Sequence, residues 1–200
     1  MNTSSLIKPY QCVVIGGSWG GIDAVGAILA RLPAQFPLPI VVVLHQHRKY
    51  ESRMHEIFAR KCLLKVKEAD EKERLLPGHV YVAPSNYHLL IERDRCLSLS
   101  IDEQVNFSRP SIDVTFISAA EVYREALIAI LLTGANQDGS EGILQIKRYG
   151  GLAIIEDPET AQVATMPQSA IDKTRVDQIL PLPEISRYLL AITMGLTKAP

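Results

Sequence analysis

The sequence is poor in cysteine and in aromatic residues. Cys12, Cys62 and Cys96 are its only cysteines and show no C-x-x-C spacing, so neither a disulfide framework nor a zinc site is predicted. Aromatic residues make up 6% of the chain, and Trp19 is the single tryptophan. The chain also has no internal repeat and no low-complexity stretch, which excludes solenoids and disordered tails.

Net charge and long apolar runs are lacking as well. The formal net charge is -1, so no global field attracts the protein to nucleic acid or to an anionic membrane. No apolar run approaches the about 20 residues that span a bilayer, and the first ten residues lack the apolar core of a targeting segment. We therefore expect a cytoplasmic protein without membrane insertion or nucleic-acid binding.

The length and composition indicate one domain. With 200 residues, of which 47% are hydrophobic, the chain can fill one core and is too short for two ordinary domains. We expect a single domain over residues 11–195, preceded by an extension over residues 1–10 and followed by a tail over residues 196–200.

Apolar runs of strand length alternate with helical patterns along most of the chain. Strands are predicted over residues 12–15, 40–44, 126–132 and 152–155, and helices over residues 22–32, 53–61, 112–123, 142–149, 168–173 and 184–193. This alternation is typical of a doubly wound α/β fold with a mostly parallel sheet and helices on both faces. This alternation is interrupted by three short predicted strands, over residues 79–83, 88–92 and 96–101. We expect them to form an antiparallel hairpin or meander at one edge.

Ser18 lies in the glycine-rich segment Gly-Gly-Ser-Trp-Gly-Gly, directly after the first predicted strand. A serine on such a strand-to-helix turn is a candidate nucleophile, and the following helix offers free amide groups to an oxyanion. A dinucleotide-binding loop is a weak alternative, because Ser18 replaces the second glycine of G-x-G-x-x-G. The hexapeptide alone is equally compatible with a turn whose serine only caps the helix.

Three residue types of a hydrolytic triad follow predicted strands. Ser18 follows the first strand, His45 and His47 the second, and Asp138 the third, so all meet at the carboxyl edge of the sheet. A serine hydroxyl needs an imidazole to accept its proton, and a carboxylate orients that imidazole. His45 and His47 lie two residues apart, and from the residues alone either could reach Ser18.

Five separated motifs resemble the catalytic domain of the chemotaxis protein-glutamate methylesterases, over about residues 13–190. They are GGSWGG, Gln46-His47, PGHVYVAP at residues 77–84, SRPSIDV at residues 108–114 and LTGANQDG at residues 132–139.

The resemblance implies a doubly wound α/β fold and hydrolysis of γ-glutamyl methyl esters on chemoreceptor helices, with release of methanol. It places the catalytic serine at Ser18, the histidine at His47 and the aspartate at Asp138, with the backbone N–H of Trp19 in the oxyanion hole. It implies no metal and no organic cofactor. Some relatives also deamidate receptor glutamines.

Members of this family usually carry an N-terminal receiver domain that inhibits the esterase until it is phosphorylated. Only about ten residues precede the first predicted strand here. We therefore expect activity without phosphorylation, and a separate receiver domain or other chemosensory regulator is a candidate partner.

The sequence departs from the family pattern at three places: at Trp19, at Arg48-Lys49 and at Ala135-Asn136. Arg109 and His45 are candidate substrate-side residues, although a loop arginine more often holds its own loop. Ser111 is expected to cap the helix that follows it. Two other functions stay open, namely a non-catalytic module that binds receptor helices and a serine hydrolase for another ester.

Overall fold

A seven-stranded parallel sheet forms the centre of the computed structural model, which describes residues 10–46 and 53–195. The nine strands in chain order are β1 Cys12–Gly17, β2 Ile40–Leu44, β3 Lys65–Glu68, β4 His79–Val82, β5 His88–Ile91, β6 Leu97–Ser100, β7 Leu127–Leu131, β8 Leu152–Glu156 and β9 Gln178–Leu180. The sheet has the order β3-β4-β2-β1-β7-β8-β9, and each neighbouring pair is parallel.

The central strands are apolar on both faces because both faces are covered by helices. In β1, Cys12 and Val14 belong to one core cluster and Val13 and Ile15 to the other, as the alternation of side chains in a strand requires. A strand of this kind reads as a continuous apolar run and shows no alternation in its sequence. This is why the short runs at residues 12–15 and 40–44 were sufficient to predict β1 and β2.

Within the described part of the chain, six α-helices form two layers, one on each face of the sheet. Their bounds are α1 Gly21–Leu29, α2 Met54–Ala59, α3 Ile112–Tyr123, α4 Ser140–Arg148, α5 Thr165–Lys173 and α6 Leu182–Met194. Buried side chains of α1, α2 and α6 share one core cluster, and those of α3, α4 and α5 share the other. The predicted doubly wound α/β class is therefore confirmed, with helix ends displaced by a few residues. Across residues 10–46 and 53–195, no helix is long and apolar enough to cross a membrane.

The antiparallel part is smaller than predicted. Strands β5 and β6 form a separate two-stranded sheet, in which Leu89 lies opposite Leu99. This pair packs on α3, where the Thr115 hydroxyl donates a hydrogen bond to the Leu89 carbonyl over 2.6 Å. The assignment of residues 79–83 to the same meander was wrong, because β4 pairs in parallel with β2 and β3.

The chain order places a topological switch at β1. From β1 the chain first builds the sheet on the β2 side and then continues with β7 on the other side. In open α/β sheets the loops on either side of such a switch diverge and leave a crevice at the carboxyl edge. The residues that follow β1, β2 and β7 therefore line one crevice.

Candidate active site

Ser18, His45 and Asp138 meet at this crevice. Ser18 directly follows β1, His45 directly follows β2, and Asp138 lies in the loop between β7 and α4. Oγ of Ser18 lies 3.1 Å from Nδ1 of His45, and Nε2 of the same ring lies 2.7 Å from Oδ2 of Asp138. The imidazole therefore bridges the hydroxyl and the carboxylate.

The geometry fixes the direction of both hydrogen bonds. An ionised carboxylate only accepts, so Nε2 of His45 carries the proton that is donated to Asp138. Nδ1 is then unprotonated and accepts the hydrogen bond of the Ser18 hydroxyl. This is the arrangement in which an imidazole can remove a proton from serine.

The histidine that occupies this position differs from the one that the sequence favoured. His47, the predicted base, lies outside the described residues. His45, which the sequence analysis kept as an alternative and as a candidate substrate-side residue, is in contact with both Ser18 and Asp138.

Thr133, at the carboxyl end of β7, holds the Ser18 turn in place. Its carbonyl accepts the backbone N–H of Ser18 over 2.9 Å, and its hydroxyl donates to the Trp19 carbonyl over 2.9 Å. The backbone N–H of Thr133 is in turn bound by the buried Glu156 carboxylate at 2.8 Å. Burial raises the pKa of Glu156. The Ser18 turn is therefore fixed by backbone and side-chain contacts to Thr133, just beyond the neighbouring strand β7.

The left-handed residue of this turn is Gly20 and not Ser18. Gly20 has φ +81° and precedes α1, whereas Ser18 is not among the described residues with positive φ. An added Cβ at Gly20 would also collide with the side chain of Gln162. The turn therefore needs its glycine two residues after the nucleophile, where the chain enters the helix.

The backbone N–H of Trp19 is the predicted donor of the oxyanion hole. It follows Ser18 directly, and within residues 10–46 and 53–195 no backbone or side-chain acceptor binds it. The Trp19 side chain is 66% exposed, so the indole does not fill the core. The predicted role of this N–H in an oxyanion hole stays a prediction.

Asp138 is fully buried and is surrounded by hydrogen-bond donors. Its Oδ2 accepts the N–H of Ile112 over 2.7 Å beside His45, while Oδ1 accepts the Ser111 hydroxyl over 2.8 Å and the N–H of Asp113 over 3.2 Å. Burial alone raises the pKa of Asp138, but the hydrogen bonds from His45, Asn106 and Ile112 outweigh it and lower the pKa. The carboxylate is thus held ionised.

The same contacts correct the expected cap of α3. Ser111 is the N-cap residue, but its side chain makes no capping hydrogen bond to the helix. Asp138, distant in sequence, instead accepts the first two N–H groups of α3. An anion at a helix N-terminus is stabilised by the free amides and by the helix dipole.

A second carboxylate, Asp113, stands beside Asp138 in the first turn of α3. Its Oδ1 accepts the N–H of Gly142 in α4 over 2.7 Å. The side-chain amide of Asn106 donates to both carboxylates, over 2.8 Å to Asp113 and 2.9 Å to Asp138. Burial raises the pKa of Asp113 to about 6, the Gly142 hydrogen bond opposes this rise, and the charge of Asp138 adds to it.

Arg109 binds its own loop and the turn between β4 and β5. Its guanidinium donates to Asn86 Oδ1 over 2.8 Å and to the carbonyls of Ile101 and Asp102 over 2.6 and 2.8 Å. These contacts favour the loop-holding interpretation of Arg109. Its role on the substrate side stays a prediction.

At the Ala135-Asn136 departure from the family pattern, a polar side chain lies beside His45. The Asn136 amide nitrogen lies 3.5 Å from Nδ1 of His45, and its amide oxygen accepts the N–H of Asp138 over 3.1 Å. No sequence pattern singled out Asn136, Asn106 or Asp113 as site residues, since loop asparagines and first-turn aspartates are common.

In the part of the chain that the structure describes, no group of three or more His, Cys, Asp or Glu residues could hold a metal ion.

Comparison with protein families identifies the class. The model of the CheB methylesterase family matches residues 13–189, which is most of the chain. The chain therefore belongs to the CheB methylesterase family. The family and the enzyme class predicted from the sequence motifs are both confirmed.

Individual relatives agree with this assignment. A protein of Leptospira interrogans, provisionally named protein-glutamate methylesterase/protein-glutamine glutaminase, is 51% identical over 92% of this chain and 95% of its own length. The protein-glutamate methylesterase/protein-glutamine glutaminase 1 of Carboxydothermus hydrogenoformans is 42% identical over 90% of this chain. The chain spans 55% of that protein.

A solved structure matches the fold closely. The crystal structure of the Thermotoga maritima CheB methylesterase catalytic domain superimposes with a TM-score of 0.88 and 37% sequence identity. The match covers 92% of this chain and 98% of that domain.

Proposed function

We propose that the protein is a serine esterase that hydrolyses γ-methyl esters of glutamate residues on the cytoplasmic helices of chemoreceptors and so acts in chemotaxis adaptation. The observation that carries this proposal is the hydrogen-bonded chain from Ser18 through His45 to Asp138. The substrate class rests on membership of the methylesterase family.

His45 is the proposed general base, in place of His47. Its ring contacts both other members of the triad, and its side chain is only 14% exposed. A base held between the nucleophile and a buried carboxylate needs no rearrangement before it accepts the proton.

The acylation step follows from this geometry. Nδ1 of His45 takes the proton of the Ser18 hydroxyl as Oγ forms a bond to the ester carbonyl carbon, and the carbonyl oxygen becomes an oxyanion. The backbone N–H of Trp19 and the start of α1, at Gly21, stabilise this negative charge. The imidazolium, held by Asp138, then protonates the methoxy oxygen as its bond to carbon breaks, and methanol leaves.

Deacylation repeats the same proton path. His45 takes a proton from water, the hydroxide attacks the glutamyl-serine ester, and the proton is returned to Oγ of Ser18. The net reaction consumes one water and yields a glutamate carboxylate and methanol. The same steps on a receptor glutamine would release ammonia, and we propose this deamidation as a second activity because relatives are named for both reactions.

The test is methanol release from methylated chemoreceptor membranes. We expect release by the parent protein and a loss of about 10³-fold or more with Ser18→Ala and with His45→Ala. His47→Ala is the matched control, since it removes an imidazole two residues away, and it should retain most of the activity. Circular dichroism spectra establish that each variant is folded.

The alternatives correspond to other outcomes. Loss of release with His47→Ala but not with His45→Ala would move the base to His47. Stable binding to receptor helices without methanol release would favour a non-catalytic module. Turnover of small esters without turnover of the methylated receptor would indicate a hydrolase for another substrate.

A further inference from the structure

Asn106 is the only side-chain amide described that joins the two buried carboxylates of the site. Its Nδ2 donates one hydrogen bond of 2.8 Å to Asp113 Oδ2 and another of 2.9 Å to Asp138 Oδ1, so both of its protons are used. Two carboxylates in a buried place repel each other, and a neutral group with two donors between them weakens that repulsion.

Asn106 lies in a tight turn whose second residue, Phe107, has an unfavourable backbone conformation. Val105 and Ser108 exchange two backbone hydrogen bonds, and the two residues between them have φ values of +51° and +60°. A two-residue hairpin turn of this type favours asparagine first and glycine second. Here the second residue is Phe107, which is 96% exposed. Its aromatic ring therefore gains little burial that could offset the left-handed backbone.

The turn is therefore held by what Asn106 binds. Asp138 Oδ1 is occupied by Asn106, by the Ser111 hydroxyl and by the N–H of Asp113, which leaves Oδ2 for His45 and for the first N–H of α3. Asp113 also binds the N–H of Gly142 and so links the start of α4 to the same cluster. Asn106 thus ties the loop, α3 and α4 to the carboxylate that orients the base.

We propose that Asn106 is a positioning residue for the esterase, acting through Asp138 to keep Oδ2 aligned with the His45 ring and to keep Asp113 from displacing it. This inference rests on the proposed function, because it assumes that Ser18, His45 and Asp138 act as a triad. Asn106 makes no contact with Ser18 among the hydrogen bonds of the described residues.

The experiment measures the reactivity of Ser18 with a small fluorophosphonate probe, which forms a bond to Oγ and releases fluoride. This reaction needs the triad but no receptor, so it separates the positioning of the base from substrate recognition. Asn106→Gly removes the amide and still accepts a left-handed φ. Phe107→Gly is the matched control, with the same substitution at the neighbouring left-handed residue.

We expect Asn106→Gly to slow labelling of Ser18 by about tenfold or more, as the loss of a hydrogen bond to a charged group would. Phe107→Gly should stay within about twofold of the parent. The acid limb of the pH-rate profile should move to higher pH only in Asn106→Gly, because two unscreened carboxylates hold a proton more strongly. The other titratable groups around the pair are His45, His88, Glu141 and Lys173.

A purely structural role would give a different pattern. If Asn106→Gly lowers the stability but the folded protein labels at the rate of Phe107→Gly, with the same pH profile, the proposal is overturned. If Asn106→Gly does not fold, Asn106→Ser, which adds no charge and cannot donate to both carboxylates at once, decides by the same comparison. A parent that does not react with the probe would overturn the triad itself and this inference with it.

Discussion

Replacing Asp138 by asparagine should cost the protein stability as well as activity. The Asp138 carboxylate accepts hydrogen bonds from His45, from the loop amide of Asn106 and from the first turn of α3, all without access to solvent. Asparagine has the same shape but offers one acceptor oxygen and one donor nitrogen. Whichever way its amide is turned, the nitrogen faces groups that themselves donate.

The size of the stability loss follows from the less costly of the two orientations of the asparagine amide. With the nitrogen at the Oδ2 position, His45 can change tautomer, but the N–H of Ile112, 2.7 Å away in the parent, loses its acceptor. A buried donor without a partner costs about 1–3 kcal/mol, and loss of the anion at a helix start adds up to about 1–2 kcal/mol. The free energy of unfolding should fall by about 2–5 kcal/mol, which lowers Tm by roughly 4–20 °C for a chain of this size.

Urea unfolding at pH 7 measures this change, with Ser18→Ala as the control. Ser18→Ala should also abolish the proposed esterase activity, but it removes a half-buried hydroxyl and should change the free energy of unfolding by less than about 0.5 kcal/mol. The activity of Asp138→Asn should fall by about 10³- to 10⁴-fold. An Asp138→Asn protein that is inactive yet as stable as Ser18→Ala would refute the argument that this carboxylate holds the start of α3.

Two further predictions concern the same loop and helices. Because burial raises the pKa of Asp113 from 3.8 to about 6, its contribution to stability is complete below about pH 4 and falls by roughly 3 kcal/mol as the pH rises through 6. Asp113→Asn should remove that part of the fall in urea titrations between pH 4 and 7, and an unchanged pH profile would contradict the assignment. Gly139→Ala should lose about 2–4 kcal/mol, because φ is +94° and the new Cβ would lie 2.6 Å from Leu131 and 2.9 Å from Ile112. Gly195→Ala, with φ +67° and no atom within 4 Å of its Cβ, should lose only about 1 kcal/mol, and equal losses would show that packing around residue 139 is not tight.

The sequence was sufficient to predict the strands that are buried on both faces. It was not sufficient to predict the strand at the edge of the sheet. The runs that became β1, β2, β7 and β8 are continuously apolar, which only a covered parallel sheet tolerates. The edge strand β3, with the sequence Lys-Val-Lys-Glu and half-exposed side chains, has no such run and was not predicted. The pairing of β4 could not be predicted either, because its sequence has no local feature that distinguishes parallel from antiparallel pairing.

The sequence was sufficient to predict at which edge of the sheet the site lies, but not which atoms are in contact there. Ser18 and Asp138 follow strands that the sequence located, and their meeting follows from parallel pairing. The choice between His45 and His47 depends on distances of 3.1 and 2.7 Å that no spacing rule resolves. Asn106 could not be predicted for a further reason, because one of its two contacts is with Asp138, which lies 32 residues away in the loop before α4.

The N-termini of two helices lie beside negative charges in the proposed site. One charge is permanent and the other is transient. The first N–H groups of α3 bind the Asp138 carboxylate, which is charged throughout the proposed cycle. The start of α1 lies at Gly21, three residues after Ser18, where charge would exist only in the tetrahedral intermediate. Because Asp138 is held by backbone groups of a packed helix, the donors that orient it do not have to reorganise when His45 becomes charged. The stability that Asp138 gives to α3 and the support that it gives to the base thus come from the same fixed amides, so a substitution that loosens one is expected to weaken the other.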